Sequence, residues 1–350
     1  MATKKQNSKG GNNDHKIHLK GRVNQHPIAM FAYGEDNDFA EAIAKNLKIK
    51  ITPRSFKKFP CGEVLSHQAE TVRDADVFIV CQPRMGEKLM NDLFACGLFV
   101  NAVRQGSPYR ITVMMPYLPF SRQDKSTNHR EPILARYVPE QLRAAGADAV
   151  VVFKLHNPAS ISTFPGIHMD NVDTNDIVLN YIRSNPKTFD LKKSQIGAPD
   201  LGSTKSCKKY ADQLGIGLVI INKSRDHKAI SVSNTLDVHG DLKGSDIIFI
   251  DDMADTCGTA KGAAIAAKER GAQKIFFFAT HPILSGNAVA NINEAGFDGV
   301  FFTDTIPLTD EQKKTIKNVK IISVSKLAAQ VIDNIHNGHS VSGLWNGDNH

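Results

Sequence analysis

Residues 245–272 read SDIIFIDDMADTCGTAKGAAIAAKERGA. The β-branched and aromatic run Ile247, Ile248, Phe249 and Ile250 is too short for a helix and is bounded at once by Asp251 and Asp252, which marks a buried strand. Beyond Gly258, five alanines (260, 263, 264, 266 and 267) are interspersed with Lys261, Lys268, Glu269 and Arg270, and Gly271 closes the segment. That is the pattern of a helix ending on glycine. The residues between, DTCGT, therefore join a strand end to a helix start. Unpaired N–H groups at a helix start carry partial positive charge, and Thr256 and Thr259 add hydroxyls, so the loop suits an anion such as a phosphate. The carboxylates before it suit hydroxyl groups, which need acceptors, or a Mg²⁺ ion bridging a ligand; a phosphorylated sugar supplies both kinds of partner. Taken alone, the aspartate pair fits equally well an acidic strand-to-helix turn in which Thr256 caps the helix.

The same rhythm runs through the chain. From Pro27 the runs PIAMFAY, ADVFIVC, RITVMMPY and DAVVVFKL read as strands, separated by helical stretches such as EDNDFAEAIAKNLKI and EPILARYVPEQLRAAGA. Later, SQIGAPD, GIGLVIIN, DIIFIDD, KIFFFATH and GVFFTDT repeat the pattern. Strand-helix alternation predicts parallel strands with right-handed crossovers, hence an α/β protein with helices on both sheet faces. The halves also echo one another: GADAVVVFKLH, ending at His156, matches GAQKIFFFATH, ending at His281. Two similar α/β domains are expected, at 27–172 and 173–332. Residues 333–350 are expected to pack on the first, and 1–26 form a polar tail without apolar periodicity.

A length of 350 residues suits about two domains, and 41% hydrophobic with 23% charged residues is ordinary globular composition. The net charge of +7 is spread among carboxylates rather than gathered in basic, aromatic-interleaved runs, so small anionic substrates explain it and nucleic acid is not expected. Cys61, Cys81, Cys96, Cys207 and Cys257 show no zinc or redox spacing. With neither a membrane-length apolar run nor a secretory core, a reducing, cytoplasmic setting is expected.

Several loops after strand ends carry chemistry. PYLPFSRQDKSTNHREP (116–132) sets Arg122, Gln123, Asp124 and Arg130 in a long proline-flanked loop, where arginine forks suit polyphosphate; the alternative is a solvated loop. His156 in KLHNP suits a metal or nucleotide, or a structural hydrogen bond. Asp200 in APDLGS suits Mg²⁺ or a sugar hydroxyl, or a helix cap. INKSRDHKA presents Lys223 and Arg225 on a weakly anchored basic loop that could close over phosphates, or a solvated turn. No Walker loop, Rossmann fingerprint or Ser-His-Asp pattern is present.

Together DDMADTCGT, SRQDKSTNHREPI, KLH, PDLGS, NKSR and THPILSG resemble, in order and spacing, the ribose-phosphate diphosphokinases, or phosphoribosyl pyrophosphate synthetases, from about residue 27 to 345. The resemblance implies two phosphoribosyltransferase-like domains with parallel sheets flanked by helices, in a homo-oligomer, commonly a hexamer. It implies Mg²⁺ as cofactor and the transfer of a diphosphoryl group from ATP to ribose 5-phosphate. By matching motifs, Asp251 and Asp252 contact ribose hydroxyls, and Asp255, Thr256, Cys257, Gly258 and Thr259 hold the 5-phosphate. Arg122, Gln123, Asp124 and His156 match the ATP site, and Phe59 and Glu63 the segment that reaches a neighbouring subunit's adenine. His156 and Asp200 match metal ligands, Lys223 and Arg225 the catalytic loop, and Arg130, Ser340 and Ser342 regulatory segments. The chain departs from the family at Lys154, where aspartate is usual, and at Cys61, where aspartate or asparagine is usual. A non-catalytic regulatory subunit is the alternative implied by the same resemblance.

Overall fold

Apolar runs without polar alternation suit parallel strands covered on both faces, and the computed structural model of the chain shows that arrangement twice. It describes residues 25–34, 38–126, 128–163, 166–223 and 236–344; the side chains of 162–163, 222–223 and 236–239 lie outside the description. The first part runs β1 (Ile28–Tyr33), α1 (Asp38–Leu47), β2 (Arg54–Lys58), β3 (Val64–Gln68), β4 (Asp76–Cys81), α2 (Leu89–Arg104), β5 (Arg110–Met114), α3 (Tyr137–Ala145), β6 (Ala149–Phe153) and β7 (His168–Val172). The strands order as β1-β4-β5-β6-β7, parallel throughout, while β2 and β3 form a separate antiparallel hairpin.

The second part runs α4 (Asn175–Ser184), β8 (Ser194–Ala198), α5 (Thr204–Leu214), β9 (Gly217–Lys223), β10 (Leu236–His239), β11 (Asp246–Ala254), α6 (Gly258–Glu269) and β12 (Ile275–Pro282). It continues with α7 (Ala288–Ala295), β13 (Gly299–Thr303), α8 (Asp310–Thr315), β14 (Val319–Ile322) and α9 (Ser325–Asn337). Its sheet order is β10-β9-β8-β11-β12-β13-β14, parallel except for β10, which runs antiparallel to β9.

Alternate residues of the second sheet fill opposite cores. Ile247, Phe249 and Phe277 meet the alanines of α6 on one face, and Ile248, Phe276 and Phe301 pack on the other. Alanine's small side chain lets α6 approach closely, which is why Ala260, Ala263, Ala264, Ala266 and Ala267 are all buried. Phe278 and Phe301 stack with centroids 4.4 Å apart and planes 15° apart. After β14 the chain returns to the first sheet, where Leu327, Val331 and Ile332 of α9 join Phe39, Ile43 and Phe78 in one buried cluster.

Every strand expected from an apolar run is present. The sequence reading passes over β2, β3, β7, β10 and β14, all in the small hairpin or at sheet edges. Their residues are short, polar or half-exposed, as in RSFKK and HMDNV, so neither burial nor alternation marks them. All five cysteines are unpaired. Among the described residues, no helix is long and apolar enough to cross a membrane. The tail expected at 1–26 lies outside the described residues as far as 24; His26 stacks on Tyr109 with centroids 3.7 Å apart.

Candidate active site

The carboxyl ends of the two parallel sheets supply the loops that converge. β11 delivers Asp251 and Asp252 at its end, and α6 begins at Gly258. The residue before α6, Cys257, adopts a left-handed conformation (φ 58°) and no side chain caps the helix. Thr256 as a helix cap is thereby overturned, and the first amides of α6 are left to another partner. Cys257 itself is buried, which pushes its thiol up to about 12 and makes it a packing residue rather than a nucleophile.

His156, three residues beyond β6, crosses between the two sheets: its Nδ1 lies 2.7 Å from Asp252 Oδ2. The hydrogen bond to Asp252 raises the imidazole above its ordinary value, against the opposing effect of burial. Burial also opposes ionisation of Asp252, but hydrogen bonds from His156 and Asp251 outweigh it and hold that carboxyl down at about 2. Asp251 takes the opposite course: desolvation first, then the neighbouring Asp252, push it up to about 8. His156, Asp251 and Asp252 line a cavity of about 580 Å³ together with Asp200 and Lys154.

Asp200 also accepts from the Ser203 backbone N–H at 2.8 Å, in the turn before α5. The residue preceding α5 is Ser203 and no side chain caps that helix, so the helix-cap alternative for Asp200 is not met. Lys154 has a left-handed backbone (φ 43°); its Nζ lies 3.3 Å from Asp173 Oδ1 and 2.5 Å from Asn175 Oδ1. Nothing in its composition would have singled out Asp173, Asn175 or Tyr210, whose hydroxyl donates to Asn175, as members of this cavity.

Arg122, from the loop after β5, donates from Nη1 to Asp255 Oδ2 at 2.5 Å, and Ser285 donates to the other carboxylate oxygen. Arg122, Gln123 and Asp255 line a second cavity of about 450 Å³. Asn157 Nδ2 donates to Asp124 Oδ2 at 2.6 Å, tying the arginine loop to the histidine loop. Phe120, Lys154, Cys257 and Leu284, all non-glycine residues at positive φ, sit in these loops; such strain persists only where the surroundings over-determine it.

Phe59 and Glu63 are not brought to these cavities within the chain. They close the β2–β3 turn, Phe59 N–H donating to Glu63 O at 2.8 Å, and line a separate cavity of about 770 Å³ beside α2. Lys223 ends β9, next to β8, with its side chain outside the description; Arg225 lies outside the described residues. Arg130 (φ 70°) is exposed between β5 and α3, and Ser340 and Ser342, with hydroxyls 3.0 Å apart, follow α9. Among the described residues no three histidine, cysteine, aspartate or glutamate side chains are grouped closely enough to hold a metal ion by themselves. The carboxylates of Asp200, Asp251 and Asp252 lining one cavity are oxygen ligands of the kind a hard cation takes together with water or ligand oxygens.

Residues 28–146 match the N-terminal domain of ribose phosphate pyrophosphokinase, and 227–346 match the phosphoribosyl synthetase-associated domain. A curated relative, ribose-phosphate pyrophosphokinase 3 of Saccharomyces cerevisiae, is 36% identical over 319 residues, 91% of this chain and 97% of the relative. The chain belongs to the ribose-phosphate pyrophosphokinase family. The Campylobacter jejuni ribose-phosphate pyrophosphokinase is 35% identical over 90% of this chain and 98% of its own. The crystal structure of the Mycobacterium smegmatis phosphoribosylpyrophosphate synthetase superposes with a TM-score of 0.80 at 31% identity, covering 89% of this chain and 99% of that one. The fold is thus the α/β architecture of that family, with two largely parallel sheets flanked by helices.

Proposed function

We propose that this family member is an active ribose-phosphate diphosphokinase, transferring the β,γ-diphosphoryl group of ATP to the anomeric hydroxyl of ribose 5-phosphate and releasing AMP. The observation that carries the reading is the convergence of the arginine loop, the histidine loop and the DTCGT loop through Arg122–Asp255 and His156–Asp252. In this reading the uncapped start of α6 and the hydroxyls of Thr256 and Thr259 bind the 5-phosphate. Asp251 and Asp252 accept from the ribose hydroxyls and so fix the orientation of the anomeric oxygen. Arg122, Gln123 and Asp124 bind ATP, and Lys223 and Arg225 meet the negative charge that develops on the transferred group.

His156 and Asp200, with the carboxylate pair beside them, would hold Mg²⁺, which supplies charge neutralisation of the phosphates when bound. Phe59 and Glu63 would serve a neighbouring subunit's site, a reading supported by their lining neither the cavity of His156 nor that of Arg122 and by the exposed stripe Met90, Phe94 and Leu98 on α2, suited to a homo-oligomeric contact. Arg130, Ser340 and Ser342 are proposed regulatory contacts. Units at 27–172 and 173–332, with a segment 333–350 on the first, are expected from the sequence. Because α9 already packs on the first sheet from Leu327, we place the end of the second unit before α9 rather than at 332. A cytoplasmic setting suits the unpaired cysteines.

The regulatory-subunit reading draws on one observation, the Lys154 cation in the cavity where a divalent ion would bind. AMP release from ATP and Mg²⁺, with and without ribose 5-phosphate, decides between them on the purified protein alone. Ribose 5-phosphate-dependent release with phosphoribosyl diphosphate as co-product supports the enzyme; none from a folded sample supports the regulatory subunit.

A further inference from the structure

His156 and His281 occupy matching places in the two echoing segments, yet they have opposite surroundings. His156 is half-exposed in the cavity, whereas His281 is 1% exposed and is used by none of the steps above. His281 points from β12 of the second sheet across to the end of β6 in the first. Its Nε2 lies 3.1 Å from Phe153 O and 3.2 Å from Lys154 O. Carbonyl oxygens only accept, so Nε2 carries the hydrogen, and Nδ1 is left to accept from Thr305 Oγ1 at 3.0 Å. Thr305 Oγ1 also lies 2.9 Å from Thr280 O, which accepts from Thr303 at 2.6 Å, so the Thr305 hydroxyl hydrogen is shared between that carbonyl and the imidazole.

We propose that His281 is a positioning residue that holds the end of β6, and with it His156, at working distance from Asp252; this rests on the diphosphotransfer reading of the site. Three contacts hold the backbone of residues 153–155, where the turn to His156 begins: Lys154 N–H to Val172 O at 2.8 Å, Leu155 N–H to Asn171 Oδ1 at 2.8 Å, and His281 to the two carbonyls. Only the last comes from the other sheet. Lys154 holds a left-handed backbone just past β6, and a conformation of that kind is kept only by surrounding contacts. The links close a ring. His281 pairs in register with Met253, Asp252 precedes Met253 on β11, Asp252 meets His156, and His156 follows the carbonyls that His281 holds. Loosening one link of such a ring moves the next.

The test compares wild type with His281→Gln, whose amide nitrogen reaches the Nε2 position, and His281→Asn, whose amide does not. The expected result is a fall in kcat of tenfold or more for Asn. The KM for ribose 5-phosphate should stay within threefold, because the 5-phosphate loop lies on β11–α6, and Gln should recover most of the loss. Hydrogen exchange at the Lys154 and Leu155 amides should rise at least tenfold in Asn, with the β11 amides unchanged. A kcat within twofold of wild type in Asn, or a loss that follows the melting temperature equally in both variants with those amides still protected, overturns the proposal. If wild type releases no AMP, the functional reading fails and amide exchange alone decides the positioning role. If His281→Asn does not fold, Thr305→Val, which removes the hydroxyl beside Nδ1 together with its contacts to Thr280 O and Thr303, is read the same way: unchanged kcat and unchanged amide protection overturn the proposal, and a lower kcat with faster exchange at Lys154 and Leu155 supports it.

Discussion

Arg122 Nη1 lies 2.5 Å from Asp255 Oδ2, joining two loops separated by 133 residues in the chain. Both side chains touch solvent, 53% and 30% exposed, so the pair adds little to stability. Its consequence is competition: a carboxylate of the proposed sugar-phosphate loop occupies the guanidinium proposed for ATP. Arg122→Gln is expected to weaken ATP binding by tenfold or more, whereas Asp255→Asn, by freeing the arginine, should tighten it about two- to fivefold. Calorimetric titration with ATP checks both; weaker binding in Asp255→Asn would sink the competition.

Lys223 stands at the last position of β9, beside β8, the strand that precedes Asp200 in the chain. A cation acting on charge that develops only during transfer affects turnover, not ground-state binding. Lys223→Ala is expected to lower kcat by about a hundredfold or more with ATP affinity within threefold. Wild-type-like turnover in steady-state assays removes the role.

Stability should depend on pH with two opposed slopes. Burial holds His281 neutral down to about 4, against an ordinary 6.5, so its contribution is full above 6.5 and drains away as pH falls from 6.5 to 4. Asp251 has the reverse sign: its folded carboxyl sits at about 8 against an ordinary 3.8, so its contribution is full below 3.8 and drains away as pH rises towards 8. The raised His156 adds to the loss above 6.5. The ligand-free protein should therefore melt lower at pH 8 than at 6.5. Asp251→Asn should flatten that slope by up to about 1.4 kcal/mol per pH unit. Thermal denaturation across pH measures it, and an unchanged slope in the variant refutes the assignment.

Phe301 is 2% exposed and stacked on Phe278. Phe301→Ala leaves a cavity between rigid strands that cannot collapse, and should destabilise the second sheet by about 3–5 kcal/mol. Denaturant unfolding of the two proteins measures the difference; a loss under 1 kcal/mol, on the order of a surface change, would contradict the packing described.

Lys154 places a fixed cation in the cavity proposed for Mg²⁺. Like charges repel more strongly in a partly desolvated site, so Lys154→Met should strengthen Mg²⁺ binding at least threefold in calorimetric titration without ATP. Unchanged or weaker binding would show that Lys154, held by Asp173 and Asn175, is electrically spent on them.

The sequence alone determined the local layer of this protein. Apolar runs bounded by aspartate, glycine and proline report burial directly, so β1, β4, β5, β6, β8, β9, β11, β12 and β13 and the alanine face of α6 were legible. The place of the DTCGT loop, between a strand end and a helix start, was legible too, because it follows from neighbours in the chain. Where burial gives no signal, as in the exposed hairpin β2–β3 and the polar edge strands β7 and β14, the sequence was silent.

Only the tertiary structure decided which loops meet. His156 and Asp252 are 96 residues apart, and their contact depends on how two sheets dock rather than on any local pattern. His156 and His281 make the same point: the same local motif, a glycine-alanine pair, an apolar strand and a histidine, yields a half-exposed ion-paired imidazole in one half and a buried neutral one in the other. Periodicity encodes which face of an element is buried, whereas the partner that buries it is supplied by packing between elements distant in the chain.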